Sequence, residues 1–175
     1  MPFNIQKHEK AIVEIQQWQA AGNVTITADE GAEIIIGHGC VLGHLLIHAC
    51  KGARVQIGVG VGFNGVVRLL LHEPKTMSIG AGSLIAGGTD ILVSDMHSII
   101  DICTDERINN AKDVRIDDRV WIGQNCLVLK GSIIGSDSII GGGSVVTGMI
   151  PSNSLAVGTP ARVVRSNVRW QRELL

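Results

Sequence analysis

The chain has 175 residues, a formal net charge of −1, 18% charged and only 3% aromatic residues, and no tyrosine. That balance gives no electrostatic reason to expect nucleic acid or an anionic membrane as partner, and no run reaches the ~18 apolar residues of a spanning helix. The amino terminus, MPFNIQKHEK, lacks the apolar core of a secretory signal, so one cytoplasmic domain over residues 1–175 is expected. Cys40, Cys50, Cys103 and Cys126 have no metal-ligand spacing and read as reduced, small apolar side chains.

Residues 7–20 (KHEKAIVEIQQWQA) space Ile12, Ile15 and Trp18 by three, which predicts a short N-terminal amphipathic helix. NVTIT then alternates like a strand. A period of six follows as Ile36, Leu42 and His48, with Cys40 and Leu46 four places after the first two. It restarts at Ile57, and again as Ile79, Ile85 and Ile91, with Ser83, Thr89 and Asp95 four places on. Phase slips near 63–76 and between Ile91 and Ile116 predict loops, and 96–110 has the polar character of an excursion. From Ile116 the count is unbroken through Ile122, Val128, Ile134, Ile140 and Val146. Val120, Cys126, Ser132, Ser138, Ser144 and Ile150, mostly small, stand four places after each. Gly123, Gly135 and Gly141 directly follow their aliphatic residues and are expected to supply backbone angles that other residues avoid. Beyond Pro160 the hexad is lost, and ARVVRSNVRWQRELL reads as a strand and a short tail.

A period of six matches neither a lone helix nor a lone strand, so it describes a unit that stacks on itself. The unit that suits it is a short extended segment plus a tight corner, which makes an all-β, parallel β-helix of about five turns. Branched aliphatics fill the coil and small residues sit near its corners. Few aromatics are needed in so narrow an interior. Loops that interrupt such a coil collect on one face, often the working one.

SDMHSIID, INNAKDVRIDDRVWIG and LVLKGSIIGSDSIIGGGSVVTGMIPSNSLAVGTPARVVR together resemble the hexapeptide-repeat acyltransferases. They are most similar to the sugar O-acetyltransferases, including the maltose and galactoside enzymes and those of bacterial capsule, exopolysaccharide and sialic acid. The match runs without gaps from Ile116 to Arg165, while the amino-terminal half shares only the repeat. The resemblance implies a left-handed coil, a homotrimer, acetyl-coenzyme A bound between neighbouring subunits, a carbohydrate acceptor and no metal. The activity it implies is acetyl transfer to a sugar hydroxyl by direct attack, in cell-surface polysaccharide biosynthesis. The left hand rests on resemblance alone, since parallel crossovers are normally right-handed.

His97 stands as far before Trp121 of VWIG as the catalytic histidine of the related enzymes stands before their corresponding tryptophan. It is the expected general base, because imidazole, with an ordinary pKa of about 6.5, can take a hydroxyl proton near neutral pH. Asp95 could orient the imidazole or simply make a corner hydrogen bond, and Asp101 is a second candidate orienter. Trp121 resembles a cleft-lining tryptophan, or packs at a trimer contact. Gln124, Gly142, Thr147, Gly148, Arg162 and Arg165 fall where the related enzymes contact acetyl-coenzyme A. Arg162 and Arg165 either offer charged forks to phosphates or are ordinary surface charge. Gly148 replaces a lysine of some relatives, so only its backbone could serve; Lys130 and Lys112 could supply charge instead. Asn64 resembles an acceptor-assisting asparagine, and His72 and Glu73 could reach the same cleft or form an exposed loop.

Three other readings compete. One is N-acetylation of a nucleotide amino sugar with the same base. Another is a metal hydratase of the γ carbonic-anhydrase kind, which needs three converging histidines; the spacings of His38, His44, His48, His72 and His97 do not resemble that ligand pattern. The third is a non-catalytic scaffold.

Overall fold

β-Branched side chains favour extended backbone, and a short strand cannot bury an apolar face by itself. Stacking supplies the missing partner. In the computed structural model, which describes residues 3–175, each turn of chain gives one strand to each of three sheets. The first two turns are β1 (Phe3–Lys7), β2 (Ile12–Ile15), β3 (Trp18–Ala20) and β4 (Val24–Ala28), β5 (Glu33–Ile36), β6 (Cys40–Leu42). The third and fourth are β7 (His44–Ala49), β8 (Arg54–Ile57), β9 (Gly62–Asn64) and β10 (Val66–Leu71), β11 (Thr76–Ile79), β12 (Leu84–Ala86). The fifth contains β13 (Thr89–Leu92), β14 (Val114–Ile116) and β15 (Trp121–Ile122). The last two are β16 (Leu127–Val128), β17 (Ile133–Ile134), β18 (Ile139–Ile140) and β19 (Val145–Val146), β20 (Met149–Ile150), β21 (Ser154–Gly158). All pair in parallel with the turns above and below, and β22 (Ala161–Ser166) folds back antiparallel on β21.

The molecule is therefore a parallel β-helix of seven turns, not five. The two extra turns lie at the amino end, where the hexad is faint. There the predicted helix is absent, and its residues form β2 and β3. Val13 and Ile15 pair with Ile34 and Ile36 of the next turn, while Ile12 is half exposed. The regular spacing of Ile12, Ile15 and Trp18 marks no shared face. Among the described residues, no helix is long and apolar enough to cross a membrane.

The unbroken hexad builds the interior. Ile116, Ile122, Val128, Ile134, Ile140 and Val146 are all buried, each contributing about 1.5–3 kcal/mol. The small residues are buried at corners, where bending breaks the strand ladder and leaves carbonyls without partners. Ser132 Oγ donates to the Val146 carbonyl at 3.1 Å and Ser138 Oγ to the Pro151 carbonyl at 2.7 Å. Ile150 departs from this scheme: it pairs with Ile134 of the preceding turn, so it fills an aliphatic place in a circuit shorter than the one before. All four cysteines are free, with Cys40 and Cys126 buried.

The glycines after the aliphatics act differently from the expectation. Positive φ falls two places further on, at Asn125, Asp137 and Gly143, whereas Gly123, Gly135 and Gly141 are not left-handed. A Cβ on Gly123 would lie 2.7 Å from the backbone nitrogen of Gly142 in the next turn. Clearance between stacked corners, not an unusual angle, requires glycine there.

The early phase slips have one cause, which is a longer circuit. Val24 pairs with Leu45 and Leu45 with Val67, whereas in the regular section Leu127 already meets its partner at Val145. The longer turns carry longer strands on the first sheet, with the ordinary in-and-out alternation of a strand. Leu45, Ile47 and Ala49 point inward, so His48 faces out instead of continuing the hexad. The largest interruption is residues 93–113, which leave the coil between β13 and β14.

Candidate active site

The excursion 93–113 is tied to the corner between the first and second sheets. Arg107 makes a two-pronged ion pair with Glu73 at 2.6 and 2.8 Å, and Lys130 bonds the Asp95 carboxylate. Glu73 and Lys130 occupy that same corner in the turns on either side. Within the loop, Asn109 is buried and its amide donates to the Asp95 carboxylate and the His97 carbonyl, both at 2.8 Å. His97 itself is exposed, and among the described residues its imidazole has no hydrogen-bonding partner.

The Asp95 carboxylate is taken up by Lys130 and Asn109 and makes no hydrogen bond to the imidazole among the described residues. The Lys130 ammonium, and after it the Asn109 amide, hold that carboxyl below the usual aspartate range. Asp101 is engaged elsewhere, accepting from the Cys103 and Thr104 N–H groups in the turn at the loop tip. Lys130 is turned into Asp95, with only 18% of its side chain exposed, and is not a free cation for phosphates. Lys112 is exposed and lies beside Gly131.

His72 and Glu73 sit beneath the excursion rather than beside Asn64. The His72 ring packs 4.7 Å from that of His48, and burial, then the neighbouring His48, lowers its pKa. The Arg107 guanidinium holds the Glu73 carboxyl below its ordinary value. Among the described residues no three His, Cys, Asp or Glu side chains converge as metal ligands.

A second group gathers on the third sheet. Asn64 of β9, Trp121 of β15 and Gln124 at the corner after it line one cleft of about 490 Å³. The carboxy-terminal tail closes its far side with Trp170, Arg172 and Leu174. The Trp170 ring lies 6.1 Å from the Trp121 ring, and its Nε1 donates to the Arg119 carbonyl at 2.6 Å. Arg172 reaches the Gly60 carbonyl at 3.2 Å. Gly142 stacks one turn above Gln124, exposed; its N–H has no partner among the described residues, which leaves a donor for an amide-bearing ligand arm. Arg162 and Arg165 are exposed on the edge strand β22. Thr147 and Gly148 lie apart from these, at the excursion's corner.

The anticipated residues therefore form two sets within one chain. His97, Asp95, Thr147 and Gly148 occupy the corner between the first and second sheets. Asn64, Trp121, Gln124, Gly142, Arg162 and Arg165 belong to the third sheet and its margins. The sequence reading missed Asn109 and Trp170. Nothing local marks Asn109 as buried, but a tryptophan in an otherwise charged tail could have signalled a docking residue.

Comparison with known proteins agrees with this architecture. The model for bacterial transferase hexapeptide (six repeats) matches residues 113–148. A polysialic acid O-acetyltransferase of Escherichia coli O1:K1 / APEC is 40% identical over 130 residues, covering 72% of this chain and 41% of that protein. The galactoside O-acetyltransferase of Escherichia coli K12 is 33% identical over 110 residues, covering 63% of this chain and 54% of that one. The chain thus spans about half the length of these relatives. The crystal structure of the polysialic-acid-specific acetyltransferase NeuO superposes with a TM-score of 0.86 at 27% identity, covering 98% of this chain and 89% of that one. A Vibrio cholerae hexapeptide-repeat acetyltransferase complexed with acetyl-coenzyme A gives 0.61 at 28% identity, covering 78% and 70%. The matched repeat is the stretch whose aliphatic and small columns build the upper coil, and by it the chain belongs to the hexapeptide-repeat transferase family.

Proposed function

We propose that the protein is an acetyl-coenzyme A-dependent O-acetyltransferase acting on a carbohydrate hydroxyl in cell-surface polysaccharide biosynthesis. The observation that carries this reading is an exposed His97 imidazole, without a hydrogen-bonding partner among the described residues, on a loop pinned by the buried Asn109. Relatives named as polysialic acid and galactoside O-acetyltransferases support the acceptor class.

Acetyl-coenzyme A supplies the acyl group as a thioester. His97 accepts the acceptor hydroxyl's proton as the oxygen attacks, and no acyl-enzyme is required. Asn64 and Trp121 hold the sugar, the ring offering an apolar face to its C–H groups. Gln124 and the free N–H of Gly142 contact the pantetheine arm, Thr147 and the Gly148 backbone contribute from the other corner, and Arg162 and Arg165 meet the phosphates.

The two sets lie on different sides of a single coil, so we infer that the site closes between copies, in a homotrimer. Met96, Ile99, Ile100, Ile102 and Ile108 leave the excursion with an apolar exposed surface that suits a neighbouring subunit. Light scattering tests this, and a monomer in solution would remove the shared site. An acceptor screen with acetyl-coenzyme A, followed by His97→Ala, tests the chemistry. Turnover should fall about 10²–10⁴-fold while coenzyme affinity and stability hardly change. Near-normal turnover in that variant would exclude His97 as the base.

A further inference from the structure

The peptide before His97 is strained. The His97 N–H bonds the Asp95 carbonyl at 2.8 Å, two places back, and Met96 between them has φ of 63°. That is a γ-turn of the rarer, positive-φ kind, which an L-residue adopts only when its surroundings hold it. Met96 supplies little of that hold, because its side chain is half exposed. Something else must keep the turn closed.

Asn109 spans it. One amide hydrogen goes to the Asp95 side chain and the other to the His97 carbonyl, so a single side chain bridges the residues flanking Met96. Its Oδ1 accepts from the Ile99 N–H at 2.8 Å and from Arg107 Nε at 3.1 Å. Its backbone carbonyl accepts from Lys130 Nζ at 2.7 Å and Arg107 Nη2 at 3.3 Å. Every side-chain polar atom of Asn109 is used, and the group is 8% exposed. Through Arg107–Glu73 and Lys130, the clamp is fastened to the coil turns on either side of the excursion.

We propose that Asn109 is a positioning residue for the reaction, holding the strained Asp95–Met96–His97 turn so that the imidazole is presented in one direction. This rests on the reading of His97 as general base. With no protein partner on the ring among the described residues, its direction is set through its own backbone, and the Asn109 amide is the donor that ties the His97 carbonyl on one side of Met96 to the Asp95 carboxylate on the other.

The test uses the full chain, with coenzyme A thiol release measured on an acceptor found by the screen and ¹³Cε1-labelled histidine observed by NMR. Asn109→Ala should lower kcat about 10–100-fold with the KM for acetyl-coenzyme A unchanged, the scale of a misplacement of about 1 Å. Asn109→Asp keeps the acceptor oxygen toward Ile99 and Arg107 but loses both donors, and should do the same. In both, the His97 resonance should move or double. Adding Met96→Gly, which adopts positive φ without cost, should return most of the lost kcat. An unmoved His97 resonance, or a kcat loss that Met96→Gly does not relieve, overturns the proposal. So does a failure of both Asn109 variants to fold, which would assign the residue to architecture alone. Full turnover in His97→Gln would sink the base assignment instead, while the NMR arm still decides whether Asn109 directs the ring.

Discussion

The first four turns and the last two solve the same packing problem with different lengths of chain. In the upper turns the circuit is short, running from Leu127 to Val145 on one sheet and from Ile134 to Ile150 on another. Strands there span only a pair of residues outside the terminal β21 and β22, and one branched aliphatic per face fills the interior. In the lower turns the circuit is longer, from Val24 to Leu45 and from Leu45 to Val67. The first sheet then carries longer strands, such as His44–Ala49 and Val66–Leu71, each with three side chains pointing inward. The added chain widens one face of the triangle. Phe63, fully buried in β9, fills part of the larger section, and among the described residues no aromatic side chain is buried in the upper coil. The excursion leaves where the wide turns meet the narrow ones. A repeat with a fixed period thus makes a tight, uniform stack, and lengthening a single face gives a broader platform beneath the excursion.

Truncating the interior should affect both regions strongly, and the wide turns more. Phe63→Ala should cost about 3–5 kcal/mol and Ile140→Ala about 2–5 kcal/mol in urea denaturation, because both leave cavities in closed sections. A smaller loss at Phe63 than at Ile140 would mean that the wide turns collapse around the gap and are not packed as described. Enlargement should discriminate better. Ile140→Phe should destabilise by about 1–3 kcal/mol, since the short circuit has no spare section for a ring.

Gly123→Ala should cost about 1–3 kcal/mol, since the new methyl meets backbone rather than a movable side chain. Gly143→Ala, where φ is 72° but the space is open, should cost about 1 kcal/mol. Equal losses at these two positions would remove the distinction between clearance and angle.

The smallest effect belongs to the exterior of the upper coil. Arg119 and Asp137 stack across one turn as a two-pronged pair, and the guanidinium holds the Asp137 carboxyl below the usual aspartate range. A depressed folded-state pKa means that the pair's contribution is complete above the ordinary aspartate value and is lost as pH falls through the lowered one. Asp137→Asn should therefore cost less than about 1 kcal/mol at neutral pH and nothing once wild-type Asp137 is protonated. Acid titration of stability in both proteins would reveal the difference.

The upper coil was legible because nearly every hexad residue there has one environment. An aliphatic at the first place is always inside, and a hydroxyl or thiol at the fifth always reaches a corner. The lower coil was harder to read because a longer strand on the first sheet interrupts the hexad with its own in-and-out alternation, which turned His48 outward, while the spacing of Ile12, Ile15 and Trp18 resembles a helix although it runs through β2, a corner and β3. His97 and Trp121 were singled out through resemblance, not periodicity. Asn109 was invisible because its burial depends on Arg107, Glu73 and Lys130, which are distant from one another in sequence and converge only when the corners stack.

The amino-acid sequence by itself determined that the chain coils, where its regular section begins, and which side chains fill that section. Those properties follow from short-range sterics and from burying an apolar column, and both repeat locally. The number of turns, the width of the lower face and the destination of the tail depend on registry between residues a full circuit apart, such as Ile134 with Ile150 or, across the excursion, Met77 with Val114. The separation of His97 from the Trp121 cleft was also decided there. It arises because three sheets share one coil and a side chain at one corner cannot reach the opposite face, a constraint that exists only once the turns have closed.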